Sequence, residues 1–326
     1  DRAGRGVRPA DGCRARDLVG IGRGYGKLLL FGEHAAVYGH PAVGIRLEDY
    51  LEVEVLGADD ARSGGGDRRN DSLNDRERSL VVEALRRLPG WTHENTITVR
   101  GTLPMSLGFG SSAAFCTALI RATRPEIGKR ELWAEAHRLE QVFHGTPSGI
   151  DTGLSVYDGA SIIYPSPPEL PGRGPADLPR AVLLVGALPR TSTTAELVAG
   201  IRALRRRDSE SVDRSLDRLG ALSRDAASRE TCPDARALGA AAREAQEVLR
   251  RLGLSTPQLD DALGTLERAG ALGAKLSGAG GGGAFYGVFE TPETADAAAE
   301  ALKTRTAQAG LPYLRRIEIG SGTGPS

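Results

Sequence analysis

Two rhythms of apolar and polar residues alternate along the chain, and each predicts its own kind of element. In Leu51-Glu-Val-Glu-Val55 every second residue is apolar, the period of a half-buried strand, and the strand is expected within residues 43–55. Lys27-Leu-Leu-Leu-Phe31 is a short apolar run, read as a buried strand that ends at Gly32-Glu33-His34. Thr96–Arg100, Ser161–Tyr164, Ala181–Val185, Ala284–Phe289 and Leu314–Ile319 read as further strands. Helical spacing governs 77–88, where Leu80, Val81, Ala84 and Leu88 share a face, and 129–143, where Leu132, Trp133, Ala136, Leu139 and Phe143 form a stripe. Residues 194–230 and 234–252 are expected to be long charged helices, and 257–269 and 292–309 shorter ones.

Between these elements the punctuation is polar or rich in glycine and proline. Residues 1–16 read as a disordered tail and 57–76 as an exposed loop. The stretch 165–178 is the expected linker, dividing the chain into 17–178 and 179–326. A length of 326 residues agrees with about two domains.

Composition narrows the function. Formal net charge is zero, which gives no basic footprint for nucleic acid. No apolar run approaches the roughly 20 residues of a membrane span, and the first residues lack the apolar core of a signal peptide. Cys13, Cys116 and Cys232 match no zinc or disulfide spacing, so a reducing, cytoplasmic setting is the default expectation. Arginine is abundant, whereas lysine occurs only at 27, 129, 275 and 303. Lys27 and Lys275 stand beside strand-end or glycine-rich motifs, where a compact ammonium suits a phosphoryl oxygen.

The most informative stretch is Pro104-Met-Ser-Leu-Gly-Phe-Gly-Ser-Ser-Ala-Ala-Phe-Cys116, a glycine-rich turn feeding a helix. Gly108 and Gly110 allow close approach of the backbone to a ligand, and Ser111 or Ser112 is the expected cap. A helix mouth of this kind is an anion site, with phosphate as the usual anion. Gly108-Phe-Gly110-Ser-Ser-Ala113 formally fits the dinucleotide pattern, but a helix follows where that fold needs a strand. Gly278, Gly280 and Gly283 mimic it too, with a strand where a helix is needed. The Gly-Lys-Ser/Thr triplet of a Walker loop is absent from the chain. His137, Glu140 and His144 lie on neighbouring turns, but two imidazoles seven residues apart do not meet on one turn, and zinc is set aside. Gly145, Pro147 and Gly149 form an irregular loop that delivers Asp151, either into a site or as the cap of a helix over 152–157.

Three stretches in order, Lys27–Gly39, Pro104–Ala114 and Lys275–Gly283, together resemble the GHMP kinase superfamily. Gly32-Glu33-His34 with Val37-Tyr38-Gly39, Glu140 with His144–Asp151, Pro189-Arg190 and Thr194–Val198 resemble the mevalonate kinases within it. The resemblance spans most of 24–290. It implies an α+β fold of two domains with the active site in the cleft between them, and an ATP-dependent kinase acting on mevalonate. By position it implies Pro104, Gly108, Gly110, Ser111, Ser112 and Ala113 at the ATP phosphates, and Ser112 and Glu140 as Mg²⁺ ligands. Asp151 would be the base with Lys27 beside it, and Glu33, His34, Ser148, Thr194, Gly278, Ala279 and Gly280 would lie near the substrate. A homodimer is expected from the same resemblance. Two positions depart from the usual pattern: Phe109 replaces a common Leu, and Thr152 stands where Asn commonly follows the Asp. A kinase for another small alcohol (a sugar, homoserine or phosphomevalonate) and a catalytically silent ligand-binding relative are the competing expectations.

Overall fold

The computed structural model describes residues 20–56, 75–88, 91–92, 95–145, 147–166, 169–306 and 310–320. The expected tail over 1–16 and nearly all of the expected 57–76 loop lie outside them.

Among the described residues the strands form two antiparallel sheets. The first is built on β2 (Ala42–Leu56), a long strand whose apolar alternation buries Leu51, Val53 and Val55. Along one edge β2 pairs with β1 (Gly20–Phe31) from Gly20↔Val55 to Phe31↔Val43. Its other edge is shared by β3 (Thr96–Gly101) and β4 (Ala160–Tyr164), and β5 (Gly172–Pro175) pairs with β4. Part of the stretch expected to be a linker is therefore a strand of this sheet. Glycine and proline hid it, because neither favours strand interiors. The second sheet runs β7 (Gly273–Leu276), β8 (Gly283–Phe289), β6 (Ala181–Leu188), β9 (Tyr313–Ile319).

β1 begins seven residues before the expected apolar run, and its early half explains how the first helix is seated. A Cβ on Gly20, Gly22 or Gly24 would stand 2.3, 2.1 or 1.8 Å from the carbonyl oxygens of Ala122, Ala118 and Ala114. Alternate residues of a strand face one side, and residues four apart on a helix share a face. Three glycines at period two thus meet three alanines at period four, and helix α2 (Ser111–Thr123) lies backbone to backbone on β1.

α1 (Asp75–Arg86), α3 (Lys129–His144) and the short α4 (Ile150–Val156) complete the helices around the first sheet. The expected 194–230 helix is two, α5 (Thr194–Arg207) and α6 (Ser209–Ala226). Asp208 divides them: it ends α5, and its carboxylate accepts from the Ser211 amide to cap α6. Next come α7 (Ala235–Arg251), α8 (Pro257–Arg268), capped by the Thr256 hydroxyl with proline in its first turn, and α9 (Pro292–Thr306). Cys116 and Cys232 are buried free thiols. Among the described residues no helix is long and apolar enough to cross a membrane.

Candidate active site

Three chain segments meet at the end of β1, and each is aimed by a local feature of the sequence. Close seating of α2 on β1 brings the mouth of that helix beside Lys27. The Lys27 amide donates to the Phe109 carbonyl (2.9 Å). The methylenes of Lys27 lie against Gly110, where a Cβ would come within 2.9 Å of them. Gly110, at φ 74°, is itself the N-cap of α2. Ser111 and Ser112 are therefore inside the first turn and not caps as expected. The amides of Ser111, Ser112 and Ala113 precede the first intrahelical bond, Ala114 N–H to the Gly110 carbonyl, and remain available to an anion. Ala113 offers only that amide, since its methyl is buried.

Phe109 is fully buried and packs on Tyr313 of β9, ring centroids 4.5 Å apart. The residue that departs from the usual pattern thus anchors the loop into the second sheet, leaving Gly108 and Gly110 on either side of it. Pro104 stands half-buried at the start of the loop.

Asp151 arrives from a second direction. Gly149, at φ 75°, caps α4, and its carbonyl accepts from the Trp133 indole (2.9 Å) and the Thr152 hydroxyl (3.1 Å). Thr152 is buried and secures this turn from within. Asp151 lies in the first turn of α4 and not at its cap, so its carboxylate is free to face outward. Oδ2 stands 3.2 Å from Lys27 Nζ. The lysine side chain is 5% exposed and the aspartate 36%, so the pair opens on one side only.

Ser112, Glu140 and His144 make the third corner. The Ser112 hydroxyl is 2.9 Å from His144 Nε2 and 3.5 Å from Glu140 Oε1. Glu140 is buried on α3, and burial together with the nearby Asp151 charge pushes its pKa up to about 8, against the pull of Lys27 and the Ser112 hydrogen bond. Protein crowding lowers the pKa of His144. A buried carboxylate beside a second carboxylate favours a cation, and a hydroxyl plus a carboxylate are hard oxygen donors. These residues fit Mg²⁺, which usually keeps several waters and needs few protein ligands.

The remaining expected residues are placed unevenly. In the glycine-rich loop between β7 and β8, Gly278 has open space where a Cβ would stand. Gly280 is closed off, because a Cβ there would lie 2.2 Å from the Leu254 carbonyl. Ala279 presents its carbonyl to His34 Nε2 at 2.8 Å. Glu33 is fully buried and ion-paired with Lys275, so neither its carboxylate nor the Lys275 ammonium opens into the cleft. Burial raises the pKa of Glu33 and lowers that of Lys275. The expectation that Lys275 meets a phosphoryl oxygen does not hold. Ser148 is exposed and accepts weakly from the Ile150 amide (3.4 Å). Thr194 is exposed and accepts from the Arg190 guanidinium (3.1 Å).

Arg190 is the residue that sequence reasoning left without a role. Its Nε is buried with no hydrogen-bond partner among the described residues, and its charge faces Asp151. Its methylenes lie near Gly283. The only signal in the sequence was the Pro189-Arg190 pair at a strand end.

Residues 79–159 match the GHMP kinases N terminal domain family, and residues 201–308 match the GHMP kinases C terminal family. A mevalonate kinase of Archaeoglobus fulgidus is 33% identical over 280 residues, covering 81% of this chain and 90% of that protein. One of Thermococcus sibiricus is 30% identical, covering 89% and 94%. Among solved structures, the L. major mevalonate kinase in complex with R-mevalonate superposes with a TM-score of 0.75 at 23% identity, covering 94% of this chain and 97% of that one.

Proposed function

The chain belongs to the GHMP kinase superfamily and, within it, to the mevalonate kinases, and on that footing we propose that it transfers the γ-phosphoryl group of ATP to the 5-hydroxyl of (R)-mevalonate. The observation that carries the mechanism is the half-open Lys27–Asp151 pair beside the uncommitted amides of α2.

Asp151 Oδ2 accepts the proton of the alcohol as its oxygen attacks the γ-phosphorus. The bond from that phosphorus to the bridging oxygen breaks, and ADP leaves with the electron pair. The Lys27 ammonium stands against the carboxylate and against the alkoxide that develops. The first-turn amides of Ser111, Ser112 and Ala113 receive phosphate oxygens, and the backbone at Gly278 leaves open space. Ser112 and Glu140 would hold Mg²⁺, which supplies neutralisation of phosphate charge when bound. Arg190, a cation facing Asp151 with an unpartnered Nε, adds a donor to the same side of the cleft. His34 orders the substrate wall through the Ala279 carbonyl, with Ser148 and Thr194 at the rim.

This reading divides the chain into units at 17–178 and 179–326, with the cleft between them, and places a homodimer in the cytoplasm. Size-exclusion chromatography with light scattering tests the dimer. The function itself is tested by coupled ADP release with Mg²⁺-ATP and a panel of mevalonate, phosphomevalonate, galactose and homoserine. Turnover confined to mevalonate is the expected result. Turnover on another alcohol moves the substrate assignment, and binding of ATP without turnover on any of them overturns the kinase reading.

A further inference from the structure

A second lysine–carboxylate pair sits at the seam between the two sheets, with no part in the chemistry above. Glu33 follows the end of β1, and Lys275 lies in β7, 242 residues later. Both side chains are fully buried. The Lys275 ammonium also donates to the Leu276 carbonyl (2.7 Å) and lies 5.7 and 5.4 Å from the ring centroids of Phe31 and Tyr286. Glu33 Oε2 is buried without a hydrogen-bond partner among the described residues, in a place no substrate atom reaches unless its surroundings move.

Bonds on either side of the pair join β1 to the β7–β8 hairpin. The Ser277 hydroxyl donates to the Leu29 carbonyl and the Tyr286 hydroxyl to the Leu30 carbonyl, each at 2.8 Å. On the cleft side His34 meets the Ala279 carbonyl, also at 2.8 Å. His34 has φ 57°, a region that non-glycine residues seldom adopt, so the surroundings must hold it there. The pair is one residue from His34 and three from Gly278. Apolar residues of similar volume stabilise a core as well as a buried ion pair or better, so stability alone is a poor reason for one.

We propose that Glu33 and Lys275 are a positioning pair: together they fix His34 and the Gly278–Gly280 backbone against each other, and Glu33 acts on the alcohol through that placement and not by touching it. The proposal rests on the phosphoryl-transfer reading above and gives Glu33 a different part in it from that of a substrate contact.

The test is a double-mutant cycle with Glu33→Gln, Lys275→Met and the two combined. Kinetics with mevalonate and Mg²⁺-ATP are read per folded molecule, alongside Tm and amide hydrogen exchange over 277–284 in the ligand-free protein. Each single change is expected to lower kcat/KM for mevalonate about tenfold, with the combined variant no worse than the poorer single. Exchange over 277–284 rises in all three. Losses that multiply in the combined variant show Glu33 acting on the substrate independently and overturn the proposal. So do singles that lower Tm while kcat, KM and exchange stay at wild-type values, since the pair is then structural only. If the singles do not fold, the combined variant carries the test, because it leaves no unpaired buried charge: low kcat/KM with raised exchange supports the proposal, and wild-type behaviour overturns it. Should the wild type phosphorylate a different alcohol, that alcohol replaces mevalonate in the cycle. The exchange measurement needs no substrate and separates failure of the pair from failure of the mevalonate reading.

Discussion

Lys27 with Asp151 and Lys275 with Glu33 are built from the same two kinds of group, near the same strand, and do opposite work. In the first pair the lysine is nearly covered while the carboxylate is 36% exposed, so the charge they share reaches into the cleft. In the second both partners are sealed, with aromatic rings near the ammonium and a main-chain carbonyl accepting a hydrogen bond from it. The comparison teaches that a lysine beside a carboxylate is not in itself a reactive centre. What decides is which partner keeps a face toward a ligand. An open pair changes the free energy of something that binds, and a sealed pair changes only the geometry of the protein around it.

The contrast is broken most sharply at the open pair. Asp151→Asn is expected to lower kcat by about a thousandfold while ATP binding, measured by calorimetry, stays near wild type. Lys27→Met should cost about a hundredfold in kcat, with Asp151 left to act without its counter-charge. Third in size is Ser112→Ala, which removes a neutral donor from the site: the Mg²⁺ concentration for half-maximal rate should rise about tenfold in a metal titration. Glu140 supplies a test without substrate. Its folded pKa of about 8 stands above the ordinary value of 4.5. In that window the folded protein keeps a proton that the unfolded chain has released, so the stabilisation is complete below the lower value and lost as pH rises through the upper one. Tm of the ligand-free protein should fall by a few degrees between about pH 5 and pH 8, and Glu140→Gln should flatten the slope. The smallest effect belongs to a pair with both partners in water. Arg205→Ala, which breaks the contact with Asp213, should move Tm by no more than about 1 °C.

Much of the site was legible because its residues sit in contiguous motifs. Lys27, Ser112, Glu140 and Asp151 could each be named as candidates from a local run, and the structure brings them close together. What the sequence concealed depends on partners far away along the chain. Nothing near Glu33 announces that its carboxylate is taken up by a lysine 242 residues later. Arg190 lacked a role because its meaning comes from the Asp151 charge it faces, and Asp151 lies on another element. Local chemistry also misled in two places. Serines after a glycine suggested a side-chain cap for α2, but Gly110 takes the cap with a left-handed backbone. Asp151 carried two readings, a site residue or the cap of α4, and Gly149 holds the capping place. The composition of β5 is that of a linker, and pairing with β4 makes it a strand.

The glycines at 20, 22 and 24 touch no ligand and carry no charge, yet they stand where α2 has least room to give. A methyl group at Gly24 would have to displace the helix that carries Ser112, and with it every amide at the helix mouth. In a survey of all possible substitutions scored by growth or turnover, these three positions should be as intolerant as Asp151, and such a survey would mark them as catalytic. A melting curve would tell them apart, since Gly24→Ala should lower Tm by much more than Asp151→Asn. Part of the precision of this enzyme is thus encoded as the absence of atoms.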